Sequence, residues 1–471
     1  MSTKTRRELL ASVGRGFGAV AASSLLERAS AASESPLAPK PPHEPARAKA
    51  VIYLYMHGGV SHVDTWDPKP ELARLSGQTL PGSFVKGLKT SRIDFTKAIA
   101  RGAAWDFNRH GESGLEISSL FPHIGSHADK LALVRSFHGD AFDHAPAMYL
   151  HVTGSQFPGR PCLGSWTVYG LGSENENLPS FVVMTDGAMK CGPQGYGSGF
   201  LPAVYQGTMF RSGKSPVLDL ATPEGVSDRT QRATLDLLGD LNKRHLAERP
   251  HDSDLEARLA SYELAYRMQS EAPEAVDISN ESAATKKLYG IGEGLSDDFG
   301  RKCLLARRLV ERGVRFIQLY SGTHLGDDWD GAHNDLVGSH NKMAAKTDKP
   351  IAGLLTDLKA RGLLDSTLVV WGSEFGRTPL AEGRNGRDHH PYAYSMWFAG
   401  AGVQGGRVLG ATDEFGLRPV ENPLVAHDAN ATILRMMGLD HLRLTYFYQG
   451  RDMRLTDVHG ENEFTDFLVK A

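Results

Sequence analysis

The run Val51-Ile52-Tyr53-Leu54-Tyr55-Met56 has no polar break and ends abruptly in His57-Gly58-Gly59. A strand with one wet face alternates apolar and polar residues. A continuous apolar run instead suits a strand buried on both faces, in a sheet covered by helices on each side. Further short runs of this kind occur at residues 131–135, 181–185, 314–320, 367–371 and 395–399. Helical patterns lie between them. Residues 230–245 and 255–268 carry apolar side chains at helical spacing with charges outside. Residues 297–312 predict a helix that leads directly into a strand, with Gly313 at the helix end. Residues 330–345 read as one helix. Asp348 reads as the cap of a second, with Pro350 in its first turn and Gly362 at its end. This alternation predicts an α/β fold with a mostly parallel sheet. Residues 187–213 are rich in glycine, with Pro193 and Pro202 as further breakers, and read as a long surface excursion. Residues 220–295 are more helical and charged, and read as a cap or an insertion.

Composition narrows the function classes. The 471 residues are 41% hydrophobic and 23% charged, as in ordinary globular proteins. A net charge of -3 and a pI of about 6.7 argue against a nucleic-acid partner, which calls for a basic surface. Cys162, Cys191 and Cys303 are far apart and lack CxxC spacing, so they read as buried free thiols. Residues 1–31 read as an export signal. Thr5-Arg6-Arg7-Glu8-Leu9-Leu10 is a twin-arginine pattern, a weakly apolar run follows to Leu26, and Ala29-Ser30-Ala31 suits cleavage. Twin-arginine (Tat) export of a folded chain to the periplasm or beyond is the expectation. Residues 32–49, dominated by Pro, Ala and charge, read as a disordered linker. No later segment has the roughly 20 strongly apolar residues of a membrane span.

Acids and imidazoles gather just after the strand runs. In open α/β sheets, ligands sit beyond the carboxyl ends of strands. The first cluster is His57, Ser61, His62, Asp64 and Asp67; Asp64 and Asp67 read equally as turn caps. The second is His138, Asp140, Asp143, His144 and His151. Asp143 would cap a helix starting near His144, whose N-terminus favours anions. His151 lies about 10 Å further along that helix and reads as core. The third is His324, Asp327, Asp328, Asp330, His333, Asn334 and His340. Asp330 and His333 are three apart and can grip one cation, zinc or manganese; the alternative makes Asp330 a helix cap. His340 reads as core. The fourth is Glu374, Arg377, Asp388 and His389. Glu374 is either a metal ligand or a clamp for Arg377. His389 is a better ligand than His390, which Pro391 holds extended.

The motifs Gly58-Gly59-Val60-Ser61-His62-Val63-Asp64-Thr65-Trp66-Asp67-Pro68-Lys69-Pro70, Val134-Arg135-Ser136-Phe137-His138, and Glu374-Phe375-Gly376-Arg377-Thr378-Pro379 with Gly386-Arg387-Asp388-His389 resemble the DUF1501 family. The resemblance spans nearly all of residues 50–450. That family looks like a member of the alkaline phosphatase-like superfamily of sulfatases and phosphatases. It implies a three-layer α/β/α sandwich over residues 50–471, and often a two-metal site for phosphoryl or sulfuryl transfer. The superfamily has Asp where this chain has His57, and Asp-His where it has Glu374-Phe375. The sulfatase Cys-x-Pro-x-Arg signature is missing, and Ser61 and Thr153 are the candidate nucleophiles. The candidate metal ligands are His57, Asp330, His333, Glu374 and His389, of which Asp330, His333 and His389 resemble the superfamily's own ligands; Ser61, Asp64, His144 and Arg377 are the candidates at the reacting centre. The expected cofactor is a divalent metal, zinc first, with manganese or calcium as alternatives. The expected function is metal-dependent hydrolysis of sulfate or phosphate esters of small molecules or carbohydrates. The alternative is a non-catalytic metal- or glycan-binding protein on the same scaffold.

Overall fold

The computed structural model describes residues 35–211, 217, 222, 224–248, 253–323 and 327–470. The export signal and His324 lie outside the described residues.

Eight strands form the central sheet: β1 (Ala50–Met56), β2 (Ala132–Phe137), β3 (Phe181–Met184), β4 (Thr208–Phe210), β5 (Phe316–Ser321), β6 (Thr367–Gly372), β7 (Tyr394–Ala399) and β8 (Arg407–Leu409). Their order is β8-β2-β7-β6-β1-β5-β3-β4. Strand β1 pairs in parallel with β5 (Val51 opposite Phe316) and with β6 (Ala50 opposite Thr367). Strand β7 is antiparallel to both β6 and β2. The two edge strands β4 and β8, too short for a periodicity, were not legible in the sequence.

Alternation along β1 divides the core into two layers. Ile52, Leu54 and Met56 face one cluster, and Val51, Tyr53 and Tyr55 face the other. The first cluster is closed by α5 (Ser296–Glu311) and α6 (Leu336–Ala360), through residues such as Phe299, Leu305, Ile351 and Leu354. The second is closed by α1 (His144–Thr153), α2 (Leu163–Leu171) and α7 (Ala426–Met436). Three layers result, α/β/α, because a sheet of doubly buried strands needs an apolar cover on both faces. The helical insertion is a hairpin of α3 (Asp228–Glu248) and α4 (Ser253–Val276). Met268, Ala272 and Ala275 pack α4 into the core, and Arg232 ties α3 to Glu263 at 2.7 Å.

Three expectations are corrected. The helix expected to break before Pro350 runs unbroken as α6, with Pro350 inside it. A proline there removes one backbone hydrogen bond; the buried face carrying Ile351, Leu354, Leu355 and Leu358 offsets the loss. Asp348 caps a neighbour instead, accepting from the backbone N–H of His123 (2.9 Å) and Ile124 (2.7 Å). Residues 35–49 lie on the domain rather than forming a loose linker. Their backbone donates from Lys40 to Leu171, from Glu44 to Gly438 and from Lys49 to Ser366. Residues 187–211 are not a surface excursion either, since Met189, Cys191, Leu201 and Tyr205 are buried and β4 completes the sheet. All three cysteines are free and buried.

Candidate metal centre

The carboxyl ends of β1, β2, β5 and β6 lie at one sheet edge, and the start of the antiparallel β7 reaches the same edge. His57 follows β1, His144 opens α1 after β2, Asp328 and Asp330 follow β5, Glu374 follows β6, and His389 precedes β7. The two glycines after His57 allow close approach. A Cβ on Gly58 (φ +117°) would lie 2.5 Å from the Asp330 backbone nitrogen. That contact, with the Trp329 N–H donating to the His57 carbonyl at 3.1 Å, sets Asp330 beside the end of β1.

Asp330 Oδ1 is the focus of the cluster. Nε2 of His144 and of His389 each lie 3.0 Å from it, and Nε2 of His333 lies 3.4 Å away. His333 Nε2 and His389 Nε2 are 2.8 Å apart. Each ring is held by its other nitrogen. His144 Nδ1 faces Glu374 Oε1 at 2.6 Å, His389 Nδ1 faces the Phe142 carbonyl at 2.7 Å, and His333 Nδ1 faces Glu382. An acceptor at Nδ1 places the proton there and leaves the Nε2 lone pair inward. Three inward lone pairs and a carboxylate oxygen repel one another unless a cation or a ring proton lies among them. His144 Nε2 approaches Asp330 without the direction of a hydrogen bond. Histidines whose outer nitrogen is bound by a carboxylate or carbonyl are the usual form of metal-ligating imidazoles. Ligand atoms of His144, Asp330 and His389 all lie within 4.8 Å of one another. The donor set of imidazole nitrogens and one carboxylate fits zinc best, with manganese next.

Burial and charge set the protonation states. Burial takes His389 down to about 4 and His333 down to about 2, so both rings are neutral at pH 7. Burial opposes charge on His144, but the adjacent carboxylates of Asp330 and Glu374 outweigh this and raise it. Burial would likewise raise Glu374, yet the bond to His144 takes it down to about 2. Asp330 is held well below the usual carboxylate range, burial being outweighed by His144, His389 and Arg377.

Cations close the site. Arg377 is fully buried; it donates to Asp330 Oδ1 at 2.8 Å and to the carbonyls of Gly58 and Gly59. Lys190 reaches Asp330 Oδ2 at 2.7 Å. Glu374 is therefore not the clamp for Arg377; it accepts from the Gly58 N–H at 2.8 Å and orients His144. His57 is buried beside the cluster, its ring 6.5 Å from that of His144, and burial takes it down to about 4. Ser61 and Asp64 are not brought to the cluster. Ser61 Oγ donates to Asp64, whose carboxylate pairs with Arg387 at 2.7 Å. Asp388 nears His333 and His389, but its oxygens already accept from the N–H groups of Arg92, Ile93 and His389. His151 is core, at 5.3 Å from the Tyr394 ring, and His340 packs on Trp329 at 5.0 Å.

Sequence reasoning missed Lys190 and Glu382. Lys190 carried one signal: it is the only charged residue between Asp186 and Arg211. Glu382 had none, because its role depends on a partner 49 residues away.

Fold and cluster together define an α/β/α protein with a His/Asp metal-type centre at the carboxyl edge of its sheet. The chain belongs to DUF1501, a family described as "protein of unknown function", whose profile matches residues 48–464. No curated protein matches it in sequence. Among solved structures, alkaline phosphatase from the Antarctic bacterium TAB5 is 10% identical, with a TM-score of 0.35, covering 85% of this chain and 99% of that one. PsFucS1 sulfatase from Pseudoalteromonas sp. is 14% identical, with a TM-score of 0.37, covering 87% and 72%. Lipoteichoic acid synthase LtaP from Listeria monocytogenes is 9% identical, with a TM-score of 0.39, covering 89% and 78%.

Proposed function

We propose that the protein is a metal-dependent hydrolase of sulfate or phosphate esters, of the alkaline phosphatase-like superfamily. It would be exported by the Tat route to the periplasm or beyond and act on small-molecule or carbohydrate esters. The convergence of three outer-held imidazoles on Asp330 carries this reading. His144, Asp330, His333 and His389 would hold the metal. Bound there, zinc supplies a Lewis acid beside a transferring group and lowers the pKa of water. Glu374, Glu382 and the Phe142 carbonyl orient the ligand rings. His57 and Glu374 support the centre rather than ligate. Arg377 fixes Asp330 and adds the positive potential that an anionic ester needs. One observation favours a non-catalytic metal- or glycan-binding protein instead: the candidate nucleophile Ser61 is engaged with Asp64.

The test is the metal content of the mature exported protein by plasma mass spectrometry, followed by turnover of aryl sulfates and aryl phosphates. Stoichiometric zinc or manganese, lost in His389→Ala, with turnover of either ester, is the expected result. Stoichiometric metal without turnover supports the binding reading. A folded protein that takes up no divalent metal overturns the hydrolase reading and the metal-binding one.

A further inference from the structure

The two oxygens of Asp330 serve two different cations. Oδ1 accepts from the Arg377 guanidinium at 2.8 Å and faces the imidazoles, whereas Oδ2 receives the Lys190 ammonium at 2.7 Å. The same ammonium lies 3.2 Å from Oδ2 of Asp328, whose side chain is fully buried. Asp328 Oδ1 is spent on the Asp330 N–H at 3.0 Å, and its Oδ2 has no hydrogen bond of good direction. His57 lies alongside. Its Nε2 accepts from the backbone N–H of Lys190 at 3.4 Å, and its buried Nδ1 has no partner. A carboxylate shared between two cations, backed by a second carboxylate and an imidazole, is what a second metal position requires. Here an ammonium stands in it. Two carboxylates so close, one of them fully buried, need a cation of some kind, since uncompensated charge out of water is costly.

We infer that Lys190 is a built-in cation that takes the place of a second metal ion, so that the centre holds one divalent metal and not two. This rests on the metal reading above and deepens it. Lys190 lies in the loop between β3 and β4, where the Gly192 N–H donates to the Met189 carbonyl at 2.9 Å and buried Met189 and Cys191 flank it. The loop thereby anchors the backbone that delivers the charge. The consequence is electrostatic. One ammonium carries half the charge of a divalent ion, and it cannot exchange with solvent metal.

The test is a zinc titration of the full mature chain after chelator treatment, with bound metal counted by plasma mass spectrometry after gel filtration. Lys190→Ala and the similarly long, neutral Lys190→Met are compared with the parent chain, with circular dichroism reporting the fold. The parent is expected to bind one equivalent. Both variants are expected to bind a second, weaker one, which adding Asp328→Asn abolishes. Two equivalents in the parent, or one in parent and folded variants alike, overturn this inference and leave the first metal site standing. No zinc in any of the proteins overturns the metal reading, and this inference with it.

Discussion

Asp64 and Arg387 show how strongly one pair of residues can tie the frame around a site. Both side chains are fully buried, 2.7 Å apart. Asp64 also accepts from Ser61 and from the Ala104 N–H, and Arg387 donates to the carbonyls of Thr378, Arg101 and Gly102. Removing one partner from a buried, hydrogen-bonded ion pair strands the other charge and costs about 3–5 kcal/mol. Asp64→Asn is therefore expected to lose that much stability in urea denaturation, with metal per folded molecule unchanged. Unchanged stability with lost metal would return Asp64 to the reacting centre. Read alone, Asp64 is one more acid after a strand, and only its partner 323 residues away separates a frame residue from a ligand.

At the scale of elements, the junction of β1 with the loop after β5 governs the centre. Gly58 has φ +117° and no space for a Cβ against the Asp330 backbone. Gly77 has φ +86° and meets nothing within 4 Å. Gly58→Ala should thus cost the strain of a positive φ, about 1–3 kcal/mol, plus displacement of Asp330 and loss of metal affinity. Gly77→Ala should cost the strain alone and keep the metal. Thermal denaturation and metal content read both, and equal effects in the two variants would refute this account of the junction. The strand itself was legible in the sequence, because burial on both faces leaves an unbroken apolar run. The continuity of α6 through Pro350 was not, since local signals favour a break and only packing against the sheet overrides them.

At the scale of the molecule, buried imidazoles make the fold acid-sensitive. Burial takes His62 and His151 down to about 4 and His340 to about 3. An unfolded chain titrates them near 6.5 and binds more protons between those limits, so stability is lost as pH falls from about 6.5 to about 4. The cost is roughly 1–2 kcal/mol per imidazole by pH 5. Asp348, which burial raises to about 6, acts in the opposite sense, because there the folded state binds the extra proton. The three imidazoles outweigh it. The urea midpoint should therefore drop between pH 7 and pH 5, and drop less in His151→Leu; equal midpoints at the two pH values would refute this. The α/β class, most of the sheet's strands and the gathering of acids and imidazoles at strand ends were legible along the chain, because burial periodicity is written locally. Which of those groups meet follows from how the chain folds back on itself. Residues 144, 330, 333 and 389 converge because the strand order and the reversed direction of β7 bring three segments to one edge. Which nitrogen of each ring turns inward depends on acceptors supplied by distant segments, and Lys190 enters from a stretch with no local pattern of its own.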